Sequence, residues 1–205
     1  MDEKRADGPP YPVGAIANYM LDRGTSKHVS VTHLKLQKLV YMAYGWATTY
    51  FEVPLFNSRI EAWEDGPVVP DLWHEFKPFG DKPIKDGRSF EFDVETGERR
   101  IPVVPPNDAR THEVLDLAWD LYGTDPAWKL AGRTHGPGTP WTETQKKAPG
   151  SVIKHSIIAT HFHSLLQEWM SADEYEEYEA ILDTISADEM AEVQAEAAIR
   201  SITSE

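Results

Sequence analysis

From Val13 the apolar residues Val13, Ile16, Ala17, Met20 and Leu21 recur every three or four positions, which predicts a helix. Pro12 suits its start and Gly24 its C-terminal end. A second helix is predicted from Thr32 as N-cap, with Leu36, Leu39, Val40, Ala43, Ala47 and Tyr50 on one face and Pro54 as its latest limit. Lys35 and Lys38 fall on the opposite face of its first turns. Further along, Tyr41, Tyr44 and Trp46 carry the apolar surface around the whole helix. Glu52 is the sole charged residue between Leu39 and Ser58. A helix that is apolar all round is buried on most sides, so this one is expected at the centre of the fold.

The pattern then breaks. Arg59 to Trp63 alternates as a short strand, Glu64-Asp65-Gly66-Pro67 reads as a turn, and Pro70 opens a short helix that Pro78 and Gly80 stop. Phe90, Phe92 and Val94 alternate, as do Ile101 and Val103 after Thr96-Gly97, a β-hairpin signature. Asn107 or Asp108 caps a helix whose buried face is Val114, Leu115, Ala118, Trp119 and Leu121, ending at Gly123. Pro126 begins a short helix through Leu130 and Ala131. Arg133 to Gly150 reads as an ordered loop. Ser151 is expected to cap a long helix with Ile153, Ile157, Ile158, His161, Phe162, Leu165, Leu166 and Trp169 inward. Ser171 is expected to cap a final acidic helix. The sum is a mainly α chain: a compact helical domain around a central buried helix, with a small antiparallel β-hairpin. Its expected divisions are an arm over 1–10, a helical domain over 11–170 and an acidic helical extension over 171–205.

Composition narrows the chemistry. A chain of 205 residues can bury a sizeable core unaided. It has no cysteine, which removes disulfides, thiolate metal sites and thiol nucleophiles. The net charge is −14, and residues 171–205 hold eleven acids against one base, Arg200. No basic stripe suits a phosphate backbone, so direct nucleic-acid binding is not expected, whereas a basic protein partner is favoured. The opening MDEKRADGPPYP has no apolar signal-peptide core, and no apolar run approaches the roughly 20 residues of a membrane span. No membrane association is expected; the expectation is a soluble, cytoplasmic protein.

The sequence carries no assembled catalytic or cofactor set. His135, in a Gly/Pro loop, lacks a nucleophile or acid at recognisable spacing, and bonding to loop backbone is its preferred role. His161 and His163 diverge by about 200° on a helix, and neither they nor His155 has a zinc-like spacing. Glu61 with Glu64 and Asp65 could be imagined as an acid/base pair, but solvated or turn-shaping roles fit better. No catalytic residue, metal or cofactor is expected. Gly66-Pro67-Val68-Val69-Pro70 supports two readings side by side: a stiff corner that orients the next helix, or a rigid ridge on which a protein docks.

LKLQKLVYMAYGW (34–46), Glu61-Ala62-Trp63, Gly66 to Pro70, Thr134-His135 and Trp141, in this order and spacing over about 14–168, resemble the Panacea, or SocA-like, antitoxin domain family. The resemblance implies a mostly helical antitoxin that neutralises a cognate protein toxin by direct contact. The alternatives are a proteolytic adaptor, with a protease complex as a further partner, and a small hydrolase around His135. The residues expected at the partner surface are Lys35, Lys38, Glu61, Trp63, Asp65, Gly66, Pro67, Val68, Val69, Pro70, Thr134 and His135. The acidic extension lies outside the family pattern. It reads either as a solvated helix or as a surface that meets a basic toxin.

Overall fold

The computed structural model describes residues 8–93 and 96–172. Chain contacts divide the protein into two units, residues 1–162 and 163–205. The first holds helices α1 (Val13–Ser26) and α2 (His33–Ala47), strands β1 (Glu61–Trp63) and β2 (Gly66–Val68), and helix α3 (Pro70–Phe76). Strands β3 (Glu91–Phe92) and β4 (Arg99–Arg100) follow, then helices α4 (Ala109–Tyr122), α5 (Ala127–Thr134) and α6 (Pro140–Lys147). Helix α7 (His155–Trp169) begins in the first unit; its residues from His163 onward, with those up to 172, are what is described of the second. The fold is mainly α, with two antiparallel two-stranded sheets. No described helix is long and apolar enough to cross a membrane.

α2 is the central helix. Every one of its residues except Leu34 is buried, and it packs against α1, α3, α4, α5 and β2. Thr32 caps it by accepting the Lys35 N–H. It ends at Ala47, short of the expected Tyr50. There the Thr48 and Thr49 hydroxyls donate to the Gly45 and Trp46 carbonyls at 2.6 and 2.7 Å and satisfy the last turn locally. Trp46 donates its indole N–H to the Tyr122 hydroxyl of α4 at 3.1 Å, so the largest core side chain leaves no polar atom stranded.

Other caps follow the sequence. Asp108 caps α4 by accepting Thr111 N–H, and Pro70 is the first residue of α3. The predicted hairpin is present but short, Glu91 opposite Arg100 and Phe92 opposite Arg99; Val94 lies outside the described residues. Asn18 of α1 ties the chain flanking it, accepting from Ser89 N at 2.8 Å and donating to the Ser89 and Pro102 carbonyls at 3.0 Å.

Four expectations need correction. Gly24 lies inside α1, which runs to Ser26. The stretch after Arg133 is not all loop: Thr139 caps α6 and Pro140 is its first residue. Ser151 caps nothing, because residues 150–153 run beside β1 before α7 starts. Gly150 N–H and Ser151 C=O pair with Ala62, and Ile153 N–H pairs with the Ile60 carbonyl at 2.8 Å. Of the residues expected inward on α7, Ile157 and Trp169 are exposed. The acidic helix beyond residue 172 and the arm's residues 1–7 fall outside the described residues.

Gly45 of α2 lies against the Phe162 ring, which sits edge-on to Trp46 at 5.5 Å. A Cβ at Gly45 would overlap that ring. Gly45→Ala gains about 1 kcal/mol of helix propensity but overpacks a dense core, for an expected net loss of roughly 1–2 kcal/mol. Chemical denaturation reads the change; equal or greater stability would show that the ring yields freely.

Candidate functional site

The sequence places Lys38 on a helix face opposite the apolar stripe, yet the folded chain buries it completely, and Lys35 is only 4% exposed. The expectation that these two lysines form a solvent-facing rim is therefore corrected. β2 and α5 pack over the first turns of α2 and close off that face. What makes burial of an amine tolerable is the β1–β2 turn. The Lys38 Nζ donates to the Asp65 carbonyl at 2.7 Å and to the Pro67 carbonyl at 3.1 Å. Among the described residues, no carboxylate oxygen bonds it. Burial outweighs the nearby Asp65 charge and pushes the amine down to about 7 from its ordinary value of 10.5. A neutral amine still carries two N–H donors, enough for both carbonyls.

β1 and β2 pair over three residues each. Glu61 pairs with Val68, Ala62 with Pro67 and Trp63 with Gly66. Ala62 spends both of its backbone groups on Gly150 and Ser151 on the other side. Its partner across the turn therefore needs no N–H, which is why a proline is accommodated inside β2. Gly66 has φ +106, a left-handed conformation that favours glycine. A Cβ there would run into Lys38 Nζ and lie 3.0 Å from Thr134 Oγ1. Gln37, one residue before the lysine, accepts the Val69 N–H at 2.9 Å. Two consecutive polar residues of α2 thus hold both ends of β2.

A second set of contacts joins α5 and α6 to this hairpin. Trp141 donates its indole N–H to the Trp63 carbonyl at 2.8 Å. The Trp63 indole in turn donates to Glu61 Oε2 at 2.8 Å and lies 5.2 Å from the Trp73 ring. Thr139 donates to the Thr134 carbonyl at 2.7 Å, and Thr134 to the Ala131 carbonyl at 2.8 Å. His135 Nδ1–H donates to the same Ala131 carbonyl, and its ring stands edge-on to Trp141 at 4.0 Å. His135 is thereby bonded to backbone, as its residue context suggests.

The fold brings Lys38, Asp65, Gly66, Pro67 and Thr134 into one cluster, with Trp63, Glu61 and His135 adjoining it. Lys35 stands apart: burial lowers its pKa, while the Asp125 charge opposes that shift. The docking-ridge reading of Gly66 to Pro70 is also corrected in part. Gly66, Pro67, Val68 and Val69 are buried as β2 and its continuation, and Pro70 is half-buried as the start of α3. Glu64 and Asp65 are the residues of this hairpin that reach solvent fully. Sequence reasoning left Gln37 and Glu64 out of the site. Gln37 had a readable signal, a polar residue on a helix apolar all round.

The site thus belongs to a mainly helical domain that buries a lysine under a short hairpin, with Glu64 and Asp65 exposed on its turn. The family model for the antitoxin SocA-like, Panacea domain matches residues 36–142, just over half of the chain, and the chain belongs to that family. It is similar to Antitoxin SocA of Caulobacter vibrioides (strain NA1000 / CB15N), with 35% identity over 127 residues. That alignment covers 62% of this chain and 66% of the relative, so the chain spans just under two thirds of the relative's length. No solved structure gives a significant match. The family match runs from Leu36, inside α2, through the β1–β2 hairpin and α5 to the start of α6.

Two outcomes test the cluster. Gly66→Ala adds left-handed strain and a collision with Lys38 and Thr134, for an expected loss of about 2–4 kcal/mol; a loss below about 0.5 kcal/mol in denaturation would show that the hairpin adjusts freely. The second concerns pH. The unfolded chain holds the Lys38 proton up to about 10.5 and the folded chain only up to about 7. Between these values the unfolded state binds more protons, so folding gains stability as pH rises through that window. Below about 7 both states are protonated and the folded state bears the full cost of the buried ammonium. The stability difference between the native chain and Lys38→Met should therefore grow in favour of the native chain from pH 7 to pH 9.5. Parallel curves would refute the assignment.

Proposed function

We propose that this protein is the antitoxin of a toxin–antitoxin pair, neutralising a cognate protein toxin by direct binding and without catalysis of its own. Membership of the antitoxin SocA-like family and the name of its relative support the antitoxin role. The observation that carries the contact surface is the exposed Glu64–Asp65 turn, fixed from below by Lys38 through the Asp65 carbonyl. A turn already held in one conformation loses little entropy when it is bound. Its two carboxylates, beside Glu61, suit a basic patch on the toxin, and such complementarity acts strongly on the rate of encounter. Trp63, Pro70 and His135 flank the turn and complete the proposed surface. Lys38, Gly66, Pro67, Val68, Val69 and Thr134 serve it from inside, as supports. In this reading the partner-binding domain spans 11–170, residues 1–10 form an arm, and the acidic segment 171–205 is an extension available to a basic partner.

The His135 bonding pattern gives no support to a hydrolase, since its Nδ1–H is committed to a backbone carbonyl and its ring to Trp141. Co-expression with the product of the neighbouring gene tests the proposal. That product should arrest growth alone and be silenced by this protein. Glu64→Lys with Asp65→Lys should weaken the complex by at least about tenfold, mainly through slower association, with the fold unchanged. A harmless neighbour, continued toxicity beside this protein, or equal binding by the charge-reversed variant would count against it. Toxin half-life measured alongside separates simple masking, which leaves it unchanged or longer, from delivery to a protease, which shortens it.

A further inference from the structure

A cleft of about 200 Å³ is lined by Tyr44 of α2, by residues 54 and 56–60 and by residues 152–155, none of them in the Lys38 cluster itself. Among the described residues its lining includes Arg59, Lys154, His155 and Tyr44 and not a single carboxylate. A second cleft, of about 330 Å³, shows the opposite sign, being lined by Asp71, Glu75 and Glu91 without a lysine or arginine. The first cleft's cations are also underused. Among the described residues Arg59 has one ion-pair partner, Glu61, 3.8 Å from its Nε, and its side chain is 72% exposed. Lys154 is exposed. Pro54 and Val152 supply apolar wall beside them.

Tyr44 and His155 add a directional group. The Tyr44 hydroxyl and His155 Nδ1 are 2.9 Å apart, with the rings edge-on. Burial raises the Tyr44 hydroxyl to about 12 and lowers the His155 imidazole, so both are neutral near pH 7. A neutral pair shares one hydrogen between them. If the hydroxyl donates, Nε2 keeps an N–H; if Nδ1 donates, the hydroxyl keeps its O–H. In either tautomer one donor hydrogen remains on the pair.

We infer that this cleft binds a small organic carboxylate, its head group taken by Arg59, Lys154 and the Tyr44–His155 pair and its apolar stem resting on Pro54 and Val152. A guanidinium fork matches a carboxylate in plane, and charge-assisted bonds are the strong ones. The apolar wall selects an acid with a stem over bare inorganic phosphate. The opposing field of the whole chain is screened beyond about 8 Å at physiological salt, so the local cations dominate at contact. The carboxylate is either a free acid or the C-terminus of a protein chain. The proposal does not depend on toxin neutralisation.

NMR titration of the isotope-labelled full chain with butyrate tests it. Saturable shifts should centre on Tyr44, Arg59, Ile60, Lys154 and His155, and butyramide should produce none. Arg59→Gln and Lys154→Gln, both at exposed positions, should each weaken butyrate binding by about tenfold with the remaining spectrum unchanged. A tetrapeptide ending in valine, compared with its C-terminal amide, identifies the source. Tighter binding of the acid peptide than of butyrate assigns a protein C-terminus, and the reverse assigns a free acid. Absence of saturation, equal response to butyramide, tighter binding of inorganic phosphate, or unchanged binding in both variants overturns the inference.

Discussion

A lysine amine with no access to solvent is the constraint on which the site depends. Taking an ammonium out of water is costly unless the site returns hydrogen bonds, and here two backbone carbonyls provide them. Those carbonyls belong to residues 27 and 29 positions further along the chain. The amine therefore acts as a tie between α2 and the β1–β2 turn. The consequences reach outward in a definite order. The turn must bring two carbonyls to one point, Gly66 must leave room for Nζ, and Thr134 of α5 must close over it. The surface result is that Glu64 and Asp65 project from a turn whose backbone is pinned.

The same logic explains why a proline-rich stretch forms a strand. Pro67 sits opposite Ala62, whose own backbone groups pair with Gly150 and Ser151. A missing N–H at that position leaves nothing unsatisfied, while the proline carbonyl is free for Lys38. Val69, next in line, gives its N–H to Gln37. The Asp65 and Pro67 carbonyls and the Val69 N–H find partners on α2, and Ile60 and Ala62 find theirs in the 150–153 segment. These bonds anchor a hairpin of three residues per strand on a helical domain.

Sequence made the scaffold readable where the signal was local. The apolar circumference of α2, the Thr32 and Asp108 caps and Pro70 at a helix start each depend on neighbours a few residues away, and each appears as expected. The misplaced features depend on distant partners. Lys38 reads as solvent-facing because a lysine normally is, and nothing nearby reveals carbonyls waiting in a later turn. Residues 150–153 read as the start of α7 because their pairing with β1 is invisible in a hydropathy pattern. α6 was hidden by its Gly/Pro-rich approach, although Thr139 followed by Pro140 is itself a cap signal. At the candidate site the residue types were legible, whereas the division between buried supports and exposed contacts had to come from the three-dimensional arrangement.

Lys38 is enclosed beneath the hairpin as an amine held by two carbonyls. The direct test of this enclosure is an NMR titration of the Lys38 side chain, following the ¹³Cε shift in protein labelled at lysine. The enclosed amine should titrate with a midpoint near 7, set apart from the exposed lysines. A midpoint at the ordinary lysine value of 10.5 would place the amine in water and contradict the enclosure.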